Sequence, residues 1–387
     1  MEEPIRILHI VGRMGQGGIE SLIMNLYRNI DRDKVQFDFL CHEGLGGVHE
    51  SEIRSLGGRI YEMPKLRSNT DDGGKKKTYY WKIFAYRKAL KKFFASHPEY
   101  KIIHGHMTNT ATIYMPIAKK FGNVKCCIAH SHQSEKTPGL SGTVTNILQK
   151  NLFRVATDYF ACSEMAAEWI YPKKFVEQGK VRIIKNGVDT NKFRYDEAIR
   201  NATRESLNFG DKYVVGNVSR FKTQKNHTFM IDVFRAFHEQ NPDSVLMLVG
   251  NGERMEEIKA KVADLGLSDS VLFMGTRKDV YNLMQAMDMF LLPSLFEGLP
   301  VSGIEAQATG LPMVTSTEVS KETDITGNCT FIPLSVSAKE WAEKMTEIRK
   351  NFVRHDVKKH IDENGFNIAD TAKWLQEFYI EKYRGNE

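Results

Sequence analysis

The 387-residue sequence holds no run approaching the roughly 20 apolar residues that a membrane-spanning helix needs. The longest candidates, such as 287–296, are interrupted by Asp288 and Pro293. The opening MEEPIRILHIVG carries acids where a secretory signal carries lysines, and its apolar run is too short for an h-region. Both features set the expectation of a cytoplasmic protein. Cysteine is scarce: Cys41, Cys126, Cys127, Cys162 and Cys329 show no C-x-x-C spacing and leave one unpaired. Neither a disulfide framework nor a structural zinc site is expected, and each thiol beside its apolar run reads as a small core residue in a reducing compartment. No short-period repeat is present. With 41% hydrophobic and 26% charged residues, disordered and fibrous classes are excluded.

The net charge of +6 is mild, and no nucleic-acid partner is expected. Its distribution is uneven. Between Lys65 and Lys92 stand ten basic residues (Lys65, Arg67, Lys75, Lys76, Lys77, Lys82, Arg87, Lys88, Lys91 and Lys92) against Asp71 and Asp72. Such an excess attracts an anionic surface. Within it, 79–94 (YYWKIFAYRKALKKFF) reads as a helix with Tyr80, Ile83, Phe84, Leu90 and Phe94 as a core-facing stripe and lysines outside. Peripheral contact with the inner face of the plasma membrane is therefore assigned to Lys75–Lys77 and the exposed lysines.

A chain of this length exceeds one ordinary core and suits two domains. Continuous apolar runs alternate with helical patterns: IRILHIV, VQFDFLC, RIYEM, KIIHGH, VKCCIAH and DYFACS in the first half. After the turn-rich Asn186–Asn191 the alternation restarts with YVVGNVS, SVLMLVG, SVLFMG, DMFLLPS and LPMVTS. Strands buried on both faces with helices between them imply parallel sheets. The expected fold is α/β: two doubly wound, Rossmann-like domains, 1–190 and 191–367, facing across a cleft, with a helix over 368–387 crossing back to the first. Such sheets bind ligands beyond their strand C-termini, so the loops there should carry the function.

Those loops are informative. After the first strand, Gly15, Gly17 and Gly18 let backbone amides approach an anion at a helix N-terminus. The dinucleotide fingerprint G-x-G-x-x-G fails, because Met14 or Glu20 holds a required glycine position. Two strands end in histidine pairs, His104/His106 and His130/His132, without a carboxylate or cysteine at ligand spacing. They read as hydrogen-bond donors rather than metal ligands, and His104 equally as a satisfied core residue. Arg220 and Lys225 emerge where the strand 213–219 hands over to a helix, a pairing suited to a diphosphate. The stretch PSLFEGLPVSGIEA sets Glu297 in a glycine turn and Glu305 just inside the following helix, whose first turn Pro300 suits. A helix N-terminus and glycine amides add positive potential there.

These residues together make the chain resemble the family 4 (group 1) glycosyltransferases, of GT-B architecture. The likeness runs over nearly the whole length: Gly15-Gln-Gly-Gly18, IIHGH, CCIAHSH, ACSEMAAEWIY, IIKNGVD, VGNVSRFKTQKN, LVGNGE, FMGTRKDV and the E-x7-E stretch. AHSH and ACSEMAAEW are similar to the subset building bacterial exopolysaccharide, capsule or O-antigen. The resemblance implies retaining transfer of a hexose from a nucleoside-diphosphate sugar, without a required metal or other cofactor, to a glycan acceptor carried on lipid. It implies Arg220 and Lys225 at the diphosphate, Glu305 at the ribose, and Glu297 with Gly298, Leu299 and Val301 along the donor. Gly17 and Gly18 would approach the diphosphate, Arg277 the base, and His130 the transferred sugar, with His132 as its rival and His106 nearby at the acceptor. A non-hydrolysing epimerase of the same architecture, or a non-catalytic nucleotide-binding module, is the alternative.

Overall fold

The computed structural model describes residues 3–15, 17–64, 69–70, 77–78, 83–132, 149 and 151–385. Lys65, Arg67, Lys75, Lys76, Lys82 and Tyr80 lie outside the described residues. The chain divides into two units, Met1–Asn186 with Ile368–Glu387, and Gly187–Asn367. The division comes slightly before position 190. The cause is local: the Val188 amide donates to the Phe366 carbonyl at 2.8 Å, and Val188 bridges to Asn367, which ties this linker to the second unit.

In the first unit, β1 (Ile5–Val11), β2 (Val35–Cys41), β3 (Ile60–Glu62), β4 (Ile102–Gly105), β5 (Cys126–Ser131), β6 (Asp158–Ala161) and β7 (Val181–Ile183) form one sheet. Its order is β3-β2-β1-β4-β5-β6-β7, and every pairing is parallel. The continuous apolar runs are explained by burial on both faces: every residue of β5 is buried. The helix Ile368–Arg384 belongs to this unit. Its Ile368, Ala372, Leu375 and Tyr379 join Leu22, Ile23, Leu26, Phe37, Phe39 and Phe160 in one core, and Lys382 pairs with Asp158 at 2.6 Å.

The helix Ile83–Ser96 corrects one expectation. It buries Tyr86, Leu90, Phe93 and Phe94, whereas Phe84 is 80% exposed. Residues 86, 90, 93 and 94 share a face at helical spacing, and position 84 lies about 200° of rotation before 86. Phe84 instead stands in line with the exposed Arg87, Lys88 and Lys91.

The second unit repeats the plan. Strands β8 (Tyr213–Val218), β9 (Ser244–Val249), β10 (Val271–Gly275), β11 (Met289–Leu292), β12 (Met313–Ser316) and β13 (Cys329–Ile332) are parallel, in the order β10-β9-β8-β11-β12-β13. Asp288 anchors the start of β8: it takes Arg200 at 2.5 Å, Arg204 at 3.2 Å and the Val214 amide at 2.7 Å. In both units the order reverses beside the first strand, between β1 and β4 and between β8 and β11. Open α/β sheets bind ligands at that switch point, outside the strand C-termini.

Candidate active site

The switch point of the second unit carries the charged residues. Beyond β8 the chain is pinned by Phe221, fully buried and stacked on His227 with ring centroids 4.2 Å apart. Asn226 takes a left-handed conformation (φ 54°) to start the helix His227–Gln240. With Phe221 turned inward, Arg220 is left exposed, and no ion pair or hydrogen bond engages its guanidinium among the described residues. Lys225 is folded under and forms an ion pair with Glu297, both side chains being largely buried. Ser294 Oγ also donates to Glu297, at 3.3 Å. The loops are stitched by backbone as well: the Leu295 amide donates to the Gln224 carbonyl at 2.8 Å, and Gln224 Nε2 donates to the Phe296 carbonyl at 3.0 Å. Arg220, Lys225 and Glu297 are thus brought together on neighbouring strand ends.

The glycines of LVGNGE have a packing reason. Gly250 (φ 138°) lies so close to Ser219 that an added Cβ would overlap its carbonyl, and Gly252 is similarly crowded by Phe221. They let the loop after β9 brace the Arg220 loop, with the Phe221 amide donating to the Asn251 carbonyl at 3.1 Å.

Pro300 is the N-cap of the helix Val301–Ala308, one position before its first turn, and Gly298 before it is exposed with open space at its Cα. Leu299 and Val301 are half-buried on either side of Pro300. Glu305 lies in the middle of this helix, also half-buried. Burial pushes its carboxyl up to about 7, with Lys192 pulling weakly in the opposite direction. No hydrogen bond holds this carboxylate among the described residues, in contrast to Glu297. Arg277, after β10, is paired with Asp279 at 2.6 Å and remains partly exposed.

In the first unit, Gly17 is the N-cap of the helix Gly18–Asn29, and the Glu20 carboxylate folds back against it. An anion approaching Gly17 would meet that carboxylate, whereas Gly15 and Gly18 have open space. The histidines form a group larger than the sequence suggested. His9 of β1 is in register with His104 of β4, and alternation along the strands brings His106, His130 and His132 to the same face. Five imidazoles stack with centroids 4.1–5.4 Å apart. His106 joins His9 at 3.1 Å and His132 at 2.9 Å; His104 joins His130 at 3.0 Å and Tyr379 of the C-terminal helix at 2.6 Å. Burial holds His9, His104, His106, His130 and His132 below the ordinary imidazole range, the first and last at about 3. They are neutral at physiological pH.

Two triplets, His9/His104/His106 and His106/His130/His132, each bring one nitrogen per ring within 4.8 Å of the others, a spacing that suits a transition metal. Here most of those nitrogens are spent on one another. Of the others, His9 Nε2 and His130 Nε2 are buried without a hydrogen-bond partner among the described residues. His104, satisfied at both nitrogens, is the core residue of the set. His9 and Tyr379 were missed by sequence reasoning; His9 was legible as a third strand-borne histidine, but Tyr379 carried no signal.

Comparison with solved structures gives the fold. The chain superimposes on Anabaena Alr3699/HepE, solved in complex with UDP-glucose, with a TM-score of 0.67 at 20% identity over 98% of this chain and 97% of that one. Two doubly wound domains in this arrangement along the chain are the fold of GT-B glycosyltransferases. Residues 16–192 match the family model described as Glycosyltransferase Family 4, and residues 199–367 the one described as Glycosyl transferases group 1. The putative glycosyltransferase EpsF of Bacillus subtilis is 31% identical over 345 residues, covering 87% of this chain and 86% of that protein. The UDP-Gal:alpha-D-GlcNAc-diphosphoundecaprenol alpha-1,3-galactosyltransferase of Escherichia coli is 27% identical over 397 residues, 97% of each. The chain belongs to the group 1, family 4 glycosyltransferases. Among the described residues, no helix is long and apolar enough to cross a membrane.

Proposed function

We propose that this enzyme transfers a hexose, with retention of configuration, from a uridine diphosphate sugar to a lipid-linked glycan during bacterial surface-polysaccharide synthesis. The observation that carries the reading is the switch point of the second unit: the Lys225–Glu297 pair, with Arg220 and, on the adjoining helix, the Glu305 carboxylate both free of hydrogen bonds among the described residues. Arg220 and Lys225 supply fixed positive charge for a diphosphate, whose leaving needs charge stabilisation more than proton transfer. Glu305 offers two acceptor oxygens, the complement of vicinal ribose hydroxyls. Lys225 is held by Glu297, so the pair acts as one preorganised unit along the donor, with Gly298, Leu299 and Val301 beside it. The roles proposed for Gly17, Gly18 and Arg277 are diphosphate and base contacts, made after Glu20 and Asp279 yield to the ligand.

The choice of uridine is supported by the UDP-glucose held by HepE and the UDP-galactose named for the Escherichia coli relative. The latter's lipid-linked acceptor supports the acceptor class. His130 is proposed to meet the sugar, since its buried Nε2 lacks, among the described residues, a partner that a substrate oxygen would supply. His132, its rival, already spends Nε2 on His106, and both would lie towards the acceptor. Phe84, Arg87, Lys88 and Lys91 form an exposed aromatic and basic face suited to an anionic bilayer. The chemistry proposed needs no metal.

The test is a thermal-shift panel of UDP, GDP, ADP and their sugar conjugates on the wild type and Arg220→Ala. UDP compounds should raise the wild-type midpoint, and Arg220→Ala should bind them about tenfold or more weakly, a charge-assisted contact being worth about 1.5–3 kcal/mol. Preference for GDP or ADP would overturn the base assignment. Absence of any shift with a folded protein would overturn the donor site.

A further inference from the structure

The polarity of the buried Tyr379–His104–His130 file follows from the strengths of its donors and acceptors. A neutral imidazole carries one N–H and one acceptor nitrogen. In the outward arrangement, the Tyr379 hydroxyl donates to His104 Nδ1, His104 Nε2–H donates to His130 Nδ1, and His130 carries its proton at Nε2. One donor and one acceptor are then unmet, the Nε2–H of His130 and the phenol oxygen. In the inward arrangement, His130 Nδ1–H donates to His104 Nε2 and His104 Nδ1–H donates to the phenol oxygen. This leaves the Tyr379 hydroxyl proton and the His130 Nε2 lone pair unmet, one donor and one acceptor again, because the hydroxyl has no second partner among the described residues. The counts are equal and strength decides: a phenol O–H is a stronger donor than an imidazole N–H, and an imidazole nitrogen a far stronger acceptor than a phenol oxygen. The outward arrangement, which pairs the strong groups and leaves the weak ones, therefore wins.

The surroundings keep the file in this state. Burial holds the Tyr379 hydroxyl well above its ordinary range and both histidines well below theirs, so the phenol stays a donor and the rings stay uncharged. Phe160 stands edge-on to His104 and His130, and Phe37 edge-on to Tyr379. None of these offers a competing acceptor. The companion file, His9–His106–His132, has no phenol at its end, and its two polarities are not distinguished in this way.

We propose that Tyr379 is a positioning residue for the transfer reaction: acting through His104, it fixes His130 as the Nε2–H tautomer, so that the open nitrogen is a hydrogen-bond donor to an oxygen of the substrate sugar. The inference rests on the reading that His130 meets the sugar. It assigns a role in substrate recognition to a helix 275 positions away from His104 in the sequence. No proton is transferred; the file sets which nitrogen bears one.

The test uses the full chain labelled with 15N-histidine. Long-range 1H–15N correlation distinguishes Nδ1–H from Nε2–H imidazoles, and His130→Asn identifies the His130 signals. In the wild type His130 should be the Nε2–H tautomer; finding it as Nδ1–H overturns the proposal without any variant at Tyr379. In Tyr379→Phe, His130 should become a mixture of tautomers. Its kcat should fall about tenfold with donor KM changed less than about twofold. In the His130→Asn background, Tyr379→Phe should cost no further activity, since the two act as one unit. An unchanged His130 tautomer in Tyr379→Phe, or additive losses in the double variant, would refute the relay. Full activity in His130→Asn alone would instead refute the reading that His130 meets the sugar.

Discussion

Replacing Glu305 by glutamine should make the protein more stable, and increasingly so as pH rises. The carboxyl is moved from an ordinary 4.5 to about 7 by burial. Below pH 4.5 it is protonated in both folded and unfolded chains, and folding carries no charge penalty. Between 4.5 and 7 the unfolded chain ionises first, so the wild type loses stability as pH rises. Above 7 the loss is complete. Two and a half units at about 1.4 kcal/mol each give a penalty of about 3 kcal/mol at pH 8 and under about 1 kcal/mol at pH 5. Glutamine keeps the shape and removes the titration. For a unit of this size, about 2–4 °C per kcal/mol makes the pH 8 gain in Tm about 6–12 °C. Differential scanning calorimetry of both proteins from pH 5 to 8, without nucleotide, reads it directly. The diagnostic is the growth of the difference with pH, because a fixed offset reports only glutamine against carboxylic acid. Parallel curves would show that Glu305 titrates normally and finds a partner in the free protein, and the reasoning would fail. If the ionised carboxylate is kept for ribose hydroxyls, the more stable variant should also be the weaker UDP binder.

Two further outcomes are expected. Phe84→Ser combined with Lys88→Glu and Lys91→Glu should lower binding to phosphatidylglycerol vesicles at least tenfold in co-sedimentation, with activity on a short soluble acceptor unchanged, since each basic residue near an anionic surface contributes about 1 kcal/mol; equal vesicle binding would remove that face as the membrane contact. Exhaustive dialysis against EDTA should leave kcat within about twofold, because the charge stabilisation proposed comes from Arg220, Lys225 and helix amides. Activity lost on dialysis and restored by zinc or magnesium would reverse the assignment, with the histidine triplets as the first place to look.

Both sheets were legible in the sequence because parallel strands buried on two faces leave uninterrupted apolar runs, a signal that survives without tertiary knowledge. The charged set was legible for a related reason: residues that follow directly on a buried strand are delivered to its C-terminal end, which is where Arg220 and Glu297 are found. Helix faces were less so. In the helix Ile83–Ser96, aromatic residues occur all round, and periodicity alone placed Phe84 on the wrong side. The glycines of the first loop suggested an anion site, but that Glu20 lies against Gly17 depends on a side-chain conformation invisible in the sequence. Tyr379 was beyond reach, since its partner is fixed by how the C-terminal helix docks. That His104 would be consumed by neighbours, leaving His130 with the open nitrogen, required the register of β1, β4 and β5.

The discontinuity of the first unit has a consequence for biosynthesis. The face of its sheet carrying Phe37 and Phe160 is finished by Tyr379, Trp374 and Phe378, which emerge from the ribosome only after the whole second unit has been made. The second unit is contiguous and has its own core, so it is free to mature while the first still waits with an apolar face uncovered. The half translated first is therefore the half completed last, and a nascent chain stalled before Ile368 would present that unfinished face to chaperones.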